Sequence, residues 1–183
     1  MEAKYHRLRS HRSSQSGVTL VETVIALAIL LVVATGIMSV ALVGIMTTEN
    51  QGHLAARSAE YAQDKMEQLN SLSYADAVTD TTVFPSTNSG GTGLSVGGSF
   101  DPAAPAAGYV DYLDATGNPM ALGAGGAAPA GWYYIRVWQI SNPAGTNNMK
   151  QITVTAKVAF NVGSSGSGLP TQATLTSLKT SPY

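Results

Sequence analysis

The chain has 183 residues, 44% of them hydrophobic and only 11% charged, far below the ~25% charge of ordinary soluble domains. Lys4, Arg7, Arg9 and Arg12 against Glu2 give residues 1–17 a balance of +3, so residues 18–183 stand at −4 within a net charge of −1. The bulk of the protein thus lacks the basic patch of a nucleic-acid binder, and the absence of cysteine excludes a disulfide framework and a thiolate metal site.

Residues 1–17 are basic and polar, with Ser10, Ser13, Ser14, Gln15 and Ser16 leading into Gly17. Next comes Val18-Thr19-Leu20-Val21-Glu22, and then 24 uncharged residues, Thr23 to Met46. At about 1.5 Å per residue that run reaches roughly 36 Å, enough to cross a bilayer with some tilt. Basic residues before it, and only Glu49 before Arg57 after it, predict a cytoplasmic N-terminus with the remainder outside. A lone carboxylate at the mouth of such a span costs at least ~2.5 kcal/mol unless it is paired. A cleaved secretory signal would have a shorter apolar core, and a plain signal anchor leaves Glu22 without a purpose.

Ser16-Gly17-Val18-Thr19-Leu20-Val21-Glu22 and the apolar run behind it resemble the class III signal of type IV pilins and type II secretion pseudopilins. The resemblance implies cleavage between Gly17 and Val18 by a prepilin peptidase, followed by N-methylation of Val18. Thr19, Leu20 and Glu22 then belong to the assembly end of the mature helix. In that family the glutamate pairs with the N-terminal amine of a neighbouring subunit, which removes two unpaired charges together. The implied partners are the peptidase and other pilins or pseudopilins, and the implied location is the bacterial inner membrane, then a filament.

No proline occurs before Pro85, so a single helix is predicted from Val18 to about Leu72. Major pilins of the family commonly carry a proline within this helix, where it bends; the nearest substitutes here are Gly36 and Gly52, each weakening helix by about 1 kcal/mol relative to alanine. Beyond Met46 the pattern turns amphipathic: Ala55, Ala59, Ala62, Met66 and Leu69 form an apolar stripe bordered by Tyr61 and Leu72. Glu60, Asp64, Lys65 and Glu67 are expected on its solvated side. Small residues such as Ala26, Ala34 and Gly36 suit close helix contact, as does ordinary transmembrane composition.

Residues 73–131, rich in Gly, Ser, Thr, Ala and Pro, read as a surface-exposed loop holding one short strand, Tyr109–Leu113. Asp111 and Asp114 lack the full ligand set of a calcium loop, so a polar turn is the expectation. Trp132–Ser141 is a strand by composition, and Asn142–Asn148 is a turn. In the following strand Ile152, Val154, Ala156, Val158, Phe160 and Val162 alternate with Gln151, Thr153, Thr155, Lys157 and Asn161, the period of a strand with one buried side. A flexible loop at 163–168 precedes a last strand, Gln172–Thr180, carrying Ala173, Leu175 and Leu178.

These elements predict an α+β fold: leader 1–17, membrane and assembly helix 18–72, and a β-rich head 73–183 packed on the second half of the helix. The strand pattern is similar to PilV-like minor pilins and minor pseudopilins. The cysteine pair of many major pilins is missing. Trp132, Tyr133, Tyr134 and Trp138 read as sheet core before a stacking platform for a glycan or single strand, and Arg136 among them as part of a solvated face. His6, His11 and His53 show no metal-ligand spacing. Neither a cofactor nor a catalytic site is expected. The sequence thus suggests a minor pilin-like subunit, with a minor pseudopilin or a non-polymerising, signal-anchored binding domain as alternatives.

Overall fold

The computed structural model describes residues 19–146, 148–159 and 171–182. The leader, the cleavage pair Gly17 and Val18, strand positions Phe160, Asn161 and Val162, and the 163–168 loop lie outside the described residues. Residues up to Gly44 form one unit and residues 45–183 a second, compact one.

Helix α1 (Leu20–Ser71) runs 52 residues without interruption through Gly36, Gly44 and Gly52. Within it, Leu20–Met46 is long and apolar enough to cross a bilayer. Its last turn carries no basic residue. The cation that complements the exposed carbonyls comes from the last strand instead, where Lys179 Nζ donates to Asn70 O at 2.6 Å.

The described strands are β1 (Gly97–Gly98), β2 (Val110–Leu113), β3 (Pro119–Met120), β4 (Tyr134–Ser141), β5 (Met149–Val158) and β6 (Gln172–Thr180). They form an antiparallel sheet of order β3-β2-β4-β5-β6, in which β1 pairs with β4 beside β2. The molecule is therefore α+β, with β4, β5 and β6 as a meander.

One face of the sheet packs on α1. Tyr61, Ala62, Met66 and Leu69 meet Tyr134, Trp138, Ile140, Ile152, Val154, Ala156 and Val158 in one buried cluster. Alternation along β5 puts Ile152, Val154, Ala156 and Val158 into it, all within 1% exposure, as the period of two predicts. The other face buries Val110, Tyr112, Ile135 and Val137 beneath Met120, Leu122 and Trp132. Residues 119–132 thus act as a lid on the sheet.

The structure corrects several expectations. Ala55 and Ala59 are exposed; the inward stripe runs Leu54, Ser58, Tyr61, Ala62, Lys65, Met66, Leu69 and Leu72, one residue earlier at its start. Lys65, expected on the solvated side, is 1% exposed. Leu178 is 58% exposed, because β6 alternates strictly and Leu178 has the parity of Thr174 and Thr176, not that of Ala173 and Leu175. The 73–131 segment is no mere surface loop: it contributes three short strands and the buried Thr79, Thr81, Leu94 and Tyr109.

Glycine is required where this segment meets the core. Gly117 adopts φ +91° in the turn after β2, and a Cβ there would collide with the Tyr61 hydroxyl. Gly98 (φ +87°) lets β1 lie against the Trp138 carbonyl.

Candidate functional sites

Thr19 stands before the first helical residue, and its Oγ1 accepts a hydrogen bond from the Glu22 backbone N–H at 3.3 Å. The Thr19 carbonyl accepts from Thr23 N–H at 3.2 Å. Thr19 is therefore the N-cap of α1, and Thr-x-x-Glu has the spacing of a capping box. That spacing was the available sequence signal for a capping role alongside assembly. Leu20 is 80% exposed, and Glu22 lies in the first turn, where a carboxylate complements the helix N-terminus. Among the described residues no cation pairs with Glu22.

Below this cap the helix surface is apolar and exposed: Val24, Ile25, Ile29, Leu30, Val33 and Ile37 each keep more than half of their area. Its hydroxyls turn inward on the helix itself. Thr35 Oγ1 donates to the Leu31 and Val32 carbonyls, each at 2.9 Å, and Ser39 Oγ to the Thr35 carbonyl at 2.9 Å. Such a surface is soluble only in lipid or among other helices.

A second polar centre lies in the head, between α1 and the sheet. Asp111 on β2 faces Arg136 on β4 in direct register. Arg136 Nε and Nη2 donate to the two Asp111 carboxylate oxygens, both at 2.8 Å. Lys65 Nζ, from α1, reaches Asp111 Oδ2 at 2.6 Å. Its ammonium is completed by Thr81 O at 2.7 Å and Gln68 Oε1 at 2.6 Å, and it sits 4.6 Å from the Trp138 ring centroid. Arg136 also reaches Tyr61 O at 3.4 Å.

Two cations here share one carboxylate. Burial pushes the Asp111 carboxyl up, but Lys65 and Arg136 more than reverse this, leaving it below the usual carboxylate range. The surplus positive charge falls on Lys65, the cation able to release a proton. Burial brings its ammonium down to about 8, against the attraction of Asp111 and with help from Arg136. This centre corrects the solvated reading of Arg136, which is only 7% exposed. Sequence alone held one usable signal: Asp111 and Arg136 each sit in a strand at the parity of buried aromatic residues.

Asp114 closes a polar turn. Its carboxylate accepts from Thr116 N and Oγ1 and from Asn118 N and Nδ2 at 2.7–3.2 Å. These bonds, the Thr116 hydroxyl first, hold the carboxyl down at about 2. The aromatic residues of the 132–138 stretch are divided. Tyr134 packs edge-on to Tyr61 at 4.8 Å beneath the helix, whereas Trp132 packs on Tyr112 at 5.4 Å on the opposite face. They form no common platform. Among the described residues no three His, Cys, Asp or Glu side chains gather as a metal site would need.

Residues 12–38 match the prokaryotic N-terminal methylation motif. The match covers the Gly17–Val18 pair, the Thr19 cap, Glu22 and the apolar run as far as Met38. It supports a type IV pilin-like protein with a class III signal, and implies processing by a prepilin peptidase and anchoring in a membrane. No curated protein and no solved structure matches the chain.

Proposed function

We propose that the chain is a minor pilin-like structural subunit of a type IV pilus. A prepilin peptidase cuts between Gly17 and Val18, Val18 is methylated, and the helix enters the filament while the head remains outside the inner membrane. The carrying observation is one continuous stretch: the methylation motif over 12–38 runs without a break into the apolar helix Leu20–Met46. Glu22, unpaired with any described cation, is then held for the N-terminal amine of a neighbouring subunit. Absence of cysteine supports a minor rather than a major subunit. The tightly packed head serves structure and contact rather than catalysis.

Intact-mass spectrometry of protein purified from its own membranes tests the reading. The expected mass is that of residues 18–183 plus one methyl group. An unprocessed chain would overturn the reading in favour of a signal-anchored binding domain. Recovery in sheared surface filaments places the processed subunit in a pilus; retention in the envelope with a loss of protein secretion places it in a type II secretion pseudopilus.

A further inference from the structure

The two faces of the sheet are closed by different means. Helix α1 lies on one. On the other, Val110, Tyr112, Ile135 and Val137 are at most 4% exposed, and the apolar side chains laid over them among the described residues are Met120, Leu122 and Trp132. Met120 and Trp132 stand at the ends of this cover, and both ends are fastened. Met120 pairs with Tyr112, and Trp132 packs on the Tyr112 ring at 5.4 Å. Next to Trp132, Tyr133 N–H donates to Leu113 O at 2.8 Å, and Tyr133 O accepts from Ala159 N–H at 2.7 Å.

Between these ends the chain changes character. Residues 121–131 comprise four glycines, five alanines, Leu122 and Pro129, and none is charged. Their hydrogen bonds are internal: Gly123 N–H donates to Ala127 O at 2.9 Å, and Gly126 N–H to Gly123 O at 3.0 Å. Among the described residues no hydrogen bond joins 121–131 to the sheet. Leu122 is the one apolar side chain of the stretch packed on the covered face.

Leaving the sheet therefore costs this stretch the burial of one leucine and breaks none of its hydrogen bonds. It also returns backbone freedom to four glycines, the residues that lose most of it on ordering. Gly125, Gly126 and Gly131 hold φ of +71°, +80° and +77° with open space around them, so no neighbour obstructs a change of path there. The rest of the head has no such release. Helix and sheet interlock through Tyr61, Met66, Leu69 and Trp138 and through the Lys65–Asp111–Arg136 centre. A segment with so few buried contacts opens at a free energy far below that of global unfolding.

We propose that residues 121–131 form a strap that lifts from the sheet while α1 and the strands stay folded, baring an apolar surface that the closed head hides. Lifting takes Leu122 off the face made by Val110 and Tyr112 on β2 and Ile135 and Val137 on β4, which stand side by side in register. On β5 that face is bordered by Thr155 and Lys157, so the bared surface is a bounded apolar patch. The head thus has two states that differ at one place. This device goes beyond the filament reading and does not depend on the N-terminal helix polymerising.

The chain has no cysteine, so a single introduced thiol reports on its own position. Ile135→Cys and Val137→Cys each place one beneath the strap. Val154→Cys, or Val158→Cys if the first fails to fold, places one on β5 in the cluster under α1, at a side chain as buried as Val137. In the full-length protein in detergent micelles without denaturant, an aromatic disulfide reagent should modify the two strap-side thiols at least ~100-fold faster than the helix-side one. Adding Leu122→Ala should speed the strap-side reactions by at least ~10-fold and leave the helix-side rate unchanged. Three results would overturn the proposal. Equal rates on both faces mean that the strap leaves only when the head unfolds. Strap-side rates unmoved by Leu122→Ala, or moved together with the helix-side rate, mean that Leu122 holds no separate cover. Strap-side thiols that react as fast as in the urea-unfolded chain mean that nothing covers them.

Discussion

Asp111 and Arg136 stand opposite each other on β2 and β4 and share two 2.8 Å hydrogen bonds. Lys65 closes on the same carboxylate from the helix at 2.6 Å. Removing that carboxylate strands two buried cations. Asp111→Ala should therefore destabilise the head by about 3–5 kcal/mol, read as a lower urea midpoint for the full chain in detergent. Replacing all three residues by apolar ones of similar volume should cost far less, because no charge is then left buried and unpaired.

Stability should depend on pH through the same group. Burial brings Lys65 down to about 8, against ~10.4 in the unfolded chain. Across that window the unfolded chain holds a proton that the folded one has released, so stability rises with pH; below about 8 the whole cost of burying the charge remains. Burial raises the phenols of Tyr112 and Tyr134, and stability gained from them is lost as pH climbs past ~10. Denaturation midpoints should therefore climb between about pH 8 and 9.5, and Lys65→Met should flatten that climb. Asp111 acts at the other extreme: its contribution is present above the ordinary carboxylate value and is lost as pH falls through its depressed one.

The two faces of β5 and β6 should respond differently to truncation. Ile152 and Val154 are fully buried, and Ile152→Ala should cost about 2–5 kcal/mol. Leu178, on the outward face, should tolerate Leu178→Ser within about 0.5 kcal/mol. Thermal melts of the two variants side by side decide this.

Gly117→Ala should be the most damaging single-methyl addition in the turn after β2. It forces a side chain at φ +91° and into the Tyr61 hydroxyl, and should cost about 1–3 kcal/mol. The nearby Gly125 (φ +71°) has open space around a built Cβ, so Gly125→Ala should lose only the backbone preference, about 1 kcal/mol. Chemical denaturation of both variants compares the two.

At the N-terminus, Glu22→Ala should leave processing largely intact and impair incorporation into filaments, measured by the ratio of processed subunit in sheared filaments to that in membranes. Thr19→Ala should remove the cap, at about 1 kcal/mol of local helix stability, and reduce incorporation less than Glu22→Ala does. Equal incorporation of Glu22→Ala and the parent would sink the assembly role.

Long periodic segments were legible and long-range pairings were not. The alternation of Ile152, Val154, Ala156 and Val158 announced β5 and its buried side, and the Gln172–Thr180 strand emerged with the same bounds. The span before Met46 was evident because 24 residues without charge have few other physical explanations. What failed was the assumption that a charged residue faces water. Lys65 lies within the apolar stripe, and only its distance from Asp111 explains why; the two are 46 residues apart along the chain (111 − 65). The glycine-rich 73–131 segment hid its order for a similar reason. Of its short strands, β1 and β2 are made by pairing with β4 and β3 by pairing with β2, partners that no local pattern names.

The Lys65–Asp111–Arg136 tie has a mechanical meaning. It joins the second half of α1 to two adjacent strands at one point, flanked by Tyr61 on one side and Met66 and Leu69 on the other. Tension drawn along the helix axis would load this joint in shear: Lys65 would have to leave Asp111 and Thr81 while the flanking side chains slid over the sheet together. A shear joint shares load among its bonds, where a peeled one breaks them in succession. The head would therefore resist a lengthwise pull more strongly than its equilibrium stability alone suggests.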